Sequence, residues 1–182
     1  WAGLAPTAQR WIVDKSQSRI EFSGTHAGLA FRGHFSDWDA AIRLDPEALS
    51  DSGLTAIIAT ASATDGIALH DRTLPQEEWF NAEQHPYASF IAADIQPTAD
   101  RRYQLQGQLK IKTYTLPLGP LQLDISGDRL RIHGEAVIDR AAVDMGMESD
   151  PEGDYVSRAI TIHVEVVAAM PPGQSGPTTR EL

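Results

Sequence analysis

The sequence predicts an all-β fold of short antiparallel strands, arranged as a sandwich or a small barrel. Apolar and polar residues alternate with a period of two in segment after segment, which is typical of strands with one face against an apolar interior. Turn-forming residues separate these segments at short intervals, which favours antiparallel connections over βα units. Signals for helices are confined to two short stretches.

The predicted strands follow one another along most of the chain. They cover residues 19–23, 38–44, 54–64, 89–95, 103–111, 121–125, 130–136 and 159–166. The Thr-Ala-Asp segment at 98–100 and the Ser-Gly-Asp segment at 126–128 are short enough to join neighbouring antiparallel strands.

Two segments predict short capping helices. The first covers residues 45–49, which begin with Asp and have Pro at the first helical position. The second covers residues 73–84, where Thr and Gln have the spacing of a capping box and Pro86 ends the segment. Trp79 and Phe80 would give this helix a large apolar surface with which to close the β-structure.

Composition excludes several classes of protein. The 182 residues are 42% hydrophobic, and 15 basic against 25 acidic side chains leave a formal charge of -10. That sign argues against nucleic acid as a partner and against electrostatic attachment to an anionic membrane. The sequence contains no cysteine, so disulfides, thiol nucleophiles, zinc fingers and iron–sulfur clusters are excluded.

The length suits one domain with a sizeable core. We expect residues 1–9 to be a leader or linker, residues 10–169 to form the folded domain, and the Pro- and Gly-rich residues 170–182 to be a flexible tail. No run approaches the roughly 18 apolar residues that a membrane-spanning helix needs.

Motifs for catalysis or metal binding are weak. The sequence has no Gly-rich phosphate loop, no HExxH pair and no nucleophile elbow. His26 and His34 lie on neighbouring strands and could share a metal ion, but structural or exposed roles are more ordinary. The His-Asp-Arg cluster at 70–72 could orient a polar ligand group or form a salt-bridge cluster at the start of a helix. The acidic residues within 148–154 could hold calcium, although a solvated turn fits their spacing better.

Large and small side chains are mixed on the predicted inner face. The large ones are Phe22, Phe31, Phe35, Trp38, Phe90, Tyr103, Leu105 and Leu109. The small ones are Gly33, Ala40, Ala59, Ala61, Ala63, Ala92, Gly107, Gly134 and Ala136. An ordinary packed core would account for the aromatic residues, but the small residues leave space beside them. Because a small barrel can hold one ligand, the mixture favours an apolar cavity.

An ordered set of short motifs resembles the YceI-like family. In chain order they are WIVD at 11–14, SRIEF at 18–22, THAG at 25–28, GHFS at 33–36, WFNAEQHP at 79–86, SF at 89–90, GQLKI at 107–111, and an IDR…MG segment at 138–146. The resemblance extends over about residues 10–169.

The resemblance implies an eight-stranded antiparallel, lipocalin-like β-barrel, closed at one end by short helical segments. It also implies that the barrel holds a polyisoprenoid, such as the prenyl tail of ubiquinone or another isoprenoid quinone, with no further cofactor required. Members of the family are typically periplasmic, so we expect a periplasmic transport protein. The partners expected from the resemblance are a membrane donor or a b-type cytochrome, and a homodimer is left open.

We therefore predict a lipid carrier rather than an enzyme. The expected tunnel residues are Phe22, Phe35, Trp38, Phe90, Leu105, Leu109 and Ile132, and the expected mouth residues are His26, His70, Arg72, Trp79 and Phe80. The first alternative is an enzyme of lipid or quinone metabolism that acts on the bound head group. The second is a barrel with a packed core that binds only other proteins.

Overall fold

The computed structural model describes residues 8–173, which are mostly β-structure. The strands are β1 (Arg10–Val13), β2 (Arg19–His26), β3 (Leu29–Phe35), β4 (Trp38–Arg43), β5 (Gly53–Ala59), β6 (Ala63–Thr64), β7 (Tyr87–Ala99), β8 (Arg102–Ile111), β9 (Tyr114–Ser126), β10 (Arg129–Asp139) and β11 (Ala159–Ala169). The helices are α1 (Ala68–Thr73) and the 3₁₀ helices Lys15–Gln17, Leu49–Asp51, Thr60–Ser62 and Arg140–Val143. Most of the predicted leader and of the predicted tail lies outside the described residues.

The strands form a closed antiparallel barrel. Strand β1 pairs with β4 on one side and with β11 on the other, so the ring β1-β4-β5-β7-β8-β9-β10-β11 closes with eight strands. Farther along the barrel, β2 replaces β1 beside β11, β3 pairs with β2, and β6 pairs with β3. The predicted eight-stranded antiparallel barrel is confirmed. Within residues 8–173, no helix has both the length and the apolar character needed to cross a membrane.

Burial alternates along the strands as the period-two pattern predicts. On β8, Tyr103, Leu105, Gly107, Leu109 and Ile111 are buried, whereas the residues between them are exposed or partly exposed. The buried set faces the barrel interior because successive side chains of a strand point to opposite faces.

One end of the barrel is filled by side chains. This closed end contains Trp11, Leu44, Leu105, Leu123 and Ala168, each at most 2% exposed. The Trp11 Nε1–H donates a hydrogen bond of 3.0 Å to the Leu44 carbonyl, which joins β1 to the chain leaving β4. The indole N–H therefore has a hydrogen-bond partner inside the apolar closed end.

The predicted helix over residues 73–84 is wrong. The helix is α1, and the chain after it runs as a series of turns. The Thr73 hydroxyl donates a 2.7 Å hydrogen bond to the Leu69 carbonyl, so Thr73 lies in the last turn of α1 and does not cap a new helix. Asn81 has a φ of 49°, which interrupts a right-handed helix at that point.

The predicted helix over residues 45–49 is also wrong, since the segment forms a turn before the 3₁₀ helix Leu49–Asp51. The Asp45 carboxylate accepts the Glu47 N–H at 2.9 Å, which is the hydrogen bond of an Asx turn. This local bond replaces the capping role that the sequence predicts for Asp45.

Candidate functional site

A cavity of about 390 Å³ occupies the barrel interior beyond the closed end. The inward side chains of the strands make its wall almost wholly apolar, and its volume lies in the range of small-molecule sites, about 300–1,000 Å³. Among the described residues, the ionisable and hydroxyl side chains of the wall lie near its open end, the mouth, and they are His26, Asp65, His70, Thr73 and Arg140.

A cluster of aromatic rings lines the cavity. Phe80 packs edge-on against Phe35, with ring centroids 6.0 Å apart. Phe35 in turn lies 5.3 Å from Phe22, and Phe22 lies 6.3 Å from Phe31. Such rings provide a large apolar surface with few rotatable bonds, which suits a site for an apolar ligand.

Two glycines make room for rings of the wall. A Cβ atom added to Gly107 would lie 2.5 Å from the Phe90 ring, and one added to Gly33 would collide with the Phe22 ring. Both rings therefore lie directly over the backbone of a neighbouring strand. This position keeps the rings close to the sheet and leaves the centre of the barrel open.

The structure brings most of the predicted ligand-binding residues together. Those on the cavity wall are Phe22, His26, Phe35, Trp38, His70, Trp79, Phe80, Phe90, Leu109 and Ile132. Leu105 is fully buried at the closed end, and Arg72 is exposed on α1, so among the described residues these two predicted positions lie off the wall. A ligand role for the residues on the wall is part of the proposal below.

The predicted inward positions of Ala59 and Ala61 are wrong. The inward residues of β5 are the even-numbered Leu54, Ala56 and Ile58, so the odd-numbered residues of this strand do not face the interior. Strand β5 ends at Ala59, and the 3₁₀ helix that follows leaves Ala61 exposed. Small residues still line the cavity. Ala40 on β4 and Ala56 on β5 are both part of its wall and lie opposite each other in the sheet.

His26 and His34 do not meet. In the β2–β3 pair, His34 lies opposite Glu21, whereas His26 lies opposite Leu29 at the far end of the hairpin. The ring near His26 is that of His70, with centroids 5.0 Å apart. Within residues 8–173, no group of three or more His, Asp or Glu side chains is placed to hold a metal ion.

The His-Asp-Arg cluster at 70–72 does not pair within itself. His70 Nδ1 lies 2.6 Å from the Asp65 carboxylate. The Asp71 carboxylate accepts the Thr64 hydroxyl at 2.7 Å, and the Arg72 side chain is exposed. The predicted salt-bridge cluster is therefore replaced by contacts to the segment that precedes α1.

The arginine of the IDR…MG motif, Arg140, to which the sequence assigns no role, is buried and organises the loop after β10. The Arg140 guanidinium is 2% exposed and pairs with Asp150 at 3.1 Å. It also donates to the carbonyls of Met145 at 2.9 Å, Asp150 at 2.7 Å, Val156 at 2.8 Å and Ser157 at 3.2 Å. The planar fork of arginine is suited to several acceptors at fixed angles, so one side chain holds the whole loop.

Asp150 is buried beside Arg140, so the solvated turn expected for the acidic residues of this loop is wrong for Asp150. Its carboxylate accepts the backbone N–H groups of Asp154, Tyr155 and Val156 at 2.8–3.1 Å. The hydrogen bond from Val156 is the main cause that holds the pKa of Asp150 below its ordinary value, and Arg140 acts in the same direction. Asp150 is therefore ionised at neutral pH, as the ion pair requires.

The loop held by Arg140 docks onto the turns after α1, and the two segments form a cover over the mouth. The Gly146 N–H donates to the Glu78 carbonyl at 2.9 Å, and the Ser149 hydroxyl donates to the Glu78 carboxylate at 2.5 Å. A Cβ at Gly146 would lie 2.6 Å from the Trp79 ring, so the glycine permits this close packing. The cover, residues 68–86 and 140–158, places Trp79 and Phe80 against the cavity.

A family model now accounts for this architecture. The model of the YceI-like domain matches residues 11–168, which include both segments of the cover and the barrel except for its first and last residues, Arg10 and Ala169. The chain belongs to the YceI-like family. The motifs that carry the resemblance in the sequence therefore lie in a shared fold, and the IDR…MG segment of this YceI-like domain contains the buried Arg140.

Known proteins similar to this YceI-like domain are distant in sequence. A UPF0312 protein of Azotobacter vinelandii is 25% identical over 120 residues, which are 64% of this chain and 62% of that protein. The chain thus matches less than two thirds of the length of that curated relative. Burkholderia cenocepacia BcnA has a TM-score of 0.77 at 22% identity, over 86% of this chain and 99% of that chain. A polyisoprenoid binding domain from Saccharophagus degradans, implicated in plant cell wall breakdown, has a TM-score of 0.69 at 11% identity, over 90% and 99%.

Proposed function

We propose that this chain is a periplasmic carrier that holds the isoprenoid tail of a lipid, such as an isoprenoid quinone, in the barrel cavity. The observation that carries the proposal is the cavity itself, with its apolar wall, closed end and polar mouth. The polyisoprenoid binding described for the Saccharophagus degradans domain, which shares this fold, supports the same class of ligand. A b-type cytochrome as partner and a homodimer stay predictions.

The energetics of such a ligand favour exchange over permanent binding. Transfer of the tail from water would contribute about 0.8 kcal/mol per CH₂. Summed over several isoprene units, this would exceed the limit of about 20 kcal/mol for non-covalent affinity. A free isoprenoid lipid lies in a membrane, however, so the tail moves between two apolar surroundings. The net affinity therefore depends on shape, tail length and head-group contacts, and the ligand can be released to a second membrane.

Organic extraction of freshly purified protein, followed by mass spectrometry, tests the proposed ligand. We expect a polyprenyl lipid in an amount comparable to that of the protein when the producing cells contain isoprenoid quinones. Protein that has been unfolded, stripped of lipid and refolded is the matched control, and it should take up added ubiquinone. If the fresh protein contains no lipid and the refolded protein takes up none, the carrier proposal is wrong.

The Asp65–His70 pair is the observation that favours an enzyme of lipid or quinone metabolism as the second candidate. A carboxylate that orients an imidazole is a common arrangement for general-base catalysis. After incubation with ubiquinone, a carrier returns the lipid chemically unchanged. A product that forms with the native protein but not with the His70→Phe variant would instead support the enzyme.

Exposed apolar side chains surround the mouth, and we include contact with a donor membrane in the proposal. Leu29, Tyr155 and Leu69 are 75%, 65% and 62% exposed. The Ala27 N–H donates to the Tyr155 carbonyl at 2.7 Å, so the β2–β3 turn and the loop before β11 lie side by side. Apolar side chains at this position can enter the interfacial region of a bilayer while the ligand leaves it.

The double variant Leu29→Ser/Tyr155→Ser is expected to slow lipid loading. Neither side chain is on the cavity wall, so the equilibrium affinity should stay unchanged while ubiquinone transfer from phosphatidylcholine vesicles slows about tenfold. Stopped-flow fluorescence of the cavity tryptophans measures this rate. The matched control is Ile57→Ser/Ile91→Ser, which removes exposed side chains from the flank of the barrel. Equal rates for both double variants would contradict membrane contact at the mouth.

A further inference from the structure

The mouth contains a carboxylate–imidazole pair whose geometry determines which ring nitrogen carries hydrogen. Asp65 Oδ2 lies 2.6 Å from His70 Nδ1, and Asp65 Oδ1 accepts the Ile67 N–H at 3.0 Å. The Asp65 carboxylate is 5% exposed. Burial raises its pKa, but the hydrogen bonds from His70 and Ile67 outweigh burial, and the net result is a lowered pKa. Asp65 is therefore ionised at neutral pH and acts only as an acceptor.

This pairing leaves His70 with one nitrogen for a ligand. Because an ionised carboxylate accepts hydrogen bonds only, His70 Nδ1 must carry the hydrogen that joins the pair. In the neutral ring the other nitrogen, Nε2, is then an acceptor without a hydrogen. His70 lies on the cavity wall at the mouth, so a ligand there meets an acceptor that needs a hydrogen-bond donor.

The charges around the mouth also favour a head group that carries no negative charge. Asp71 adds a second carboxylate, which accepts the Asp65 N–H at 3.1 Å. Arg140 is the single Lys or Arg among the described residues of the cavity wall, and its charge is paired with Asp150 while its donors are used by loop carbonyls. On the described part of the wall a phosphate group would therefore meet carboxylates but no free Lys or Arg side chain, which is costly where water is partly excluded.

We propose that the mouth selects an uncharged isoprenoid lipid with a hydroxyl head group, a polyprenol or a quinol, over the corresponding phosphorylated lipid. The hydroxyl donates to His70 Nε2, while Asp65 holds the ring in the accepting form. This inference rests on the proposed function, because it assigns the head group of a ligand whose tail occupies the cavity. A quinone carbonyl, which can only accept, has no donor at Nε2 of the neutral ring.

Titration of delipidated protein at pH 8, above the ordinary titration range of a free imidazole, tests the proposal. Trp38 and Trp79 line the cavity and report binding by their fluorescence. Geranylgeraniol and geranylgeranyl diphosphate have the same tail, and we expect the alcohol to bind at least about tenfold more tightly. A short-tailed ubiquinol should likewise bind more tightly than its quinone. Comparison of the alcohol with the quinol then identifies the source of the hydroxyl.

Two variants test whether the Asp65–His70 pair causes the preference for a hydroxyl head group. His70→Phe should abolish the preference for the quinol over the quinone, and Asp65→Asn should reduce it, because an amide can donate to Nδ1 and so move the ring hydrogen to Nε2. His34→Phe, an exposed histidine outside the cavity, is the control and should keep the preference. A diphosphate that binds as tightly as the alcohol, or a preference that survives in both variants, would overturn this inference alone. Failure of every probe to bind would overturn the proposed function itself.

Discussion

Replacing Arg140 by methionine is expected to lower the melting temperature by about 6–20 °C. The variant leaves the buried Asp150 carboxylate without its cation and removes the donors that hold the carbonyls of Met145, Val156 and Ser157. Buried polar groups without partners carry the full cost of their lost hydration. Differential scanning calorimetry measures the shift. Arg140→Lys should recover only part of it, because a single ammonium cannot reach the same acceptors.

A second arginine nearby provides the matched control. Arg158 pairs with Asp139 at 2.9 Å, but the two side chains are 47% and 48% exposed. Exposed pairs of this kind contribute little, so Arg158→Met should leave the melting temperature almost unchanged. A similar drop in melting temperature in both variants would show that burial of the Arg140 network does not explain the loss of stability.

The variant Ala56→Phe is expected to abolish lipid binding, with Kd raised more than about 100-fold, or about 2.7 kcal/mol. Ala56 lies on the cavity wall between Ala40 and Phe90 in register, so a phenyl ring there would occupy the space of the ligand. Stability should stay equal or rise, because the ring fills empty apolar space in place of overpacking a dense core. Ubiquinone titration and thermal unfolding together separate this result from simple misfolding.

The neighbouring residue on the same strand supplies the control for this variant. Thr55 is exposed on the outer face of β5, so Thr55→Phe adds the same ring outside the barrel. Its Kd should match that of the native protein. Native affinity in Ala56→Phe would show that the ligand binds somewhere other than the cavity.

The sequence predicts the face of a strand residue better than its position along the barrel. Alternation places both Leu105 and Leu109 on the inner face of β8, and the structure agrees for both. Leu109 lines the cavity, whereas Leu105 is part of the closed end. A period of two contains no information about depth, because depth depends on how the strands are staggered around the barrel.

The interactions of the cover do not follow from the sequence pattern, because they join residues that no periodic pattern connects. Arg140 and Asp150 are ten residues apart in an irregular loop, and their pairing exists only once that loop is folded. The capping-box spacing at 73–84 was misleading for a related reason, since Thr73 is already bonded within α1. The sequence predicts His70 at the mouth but not its partner Asp65, because an irregular turn before α1 brings the two side chains together.

The closed end, which contains Trp11, Leu44 and Leu105, makes the two ends of the barrel different, because only the mouth is open to the cavity. The proposed lipid would enter this closed-ended cavity through the mouth, with its tail first, and would leave along the same path. Loading and unloading therefore use one and the same face of the molecule. If the proposed carrier function is correct, the protein cannot bridge two membranes as a conduit and must detach from the donor membrane before it delivers its ligand to the second.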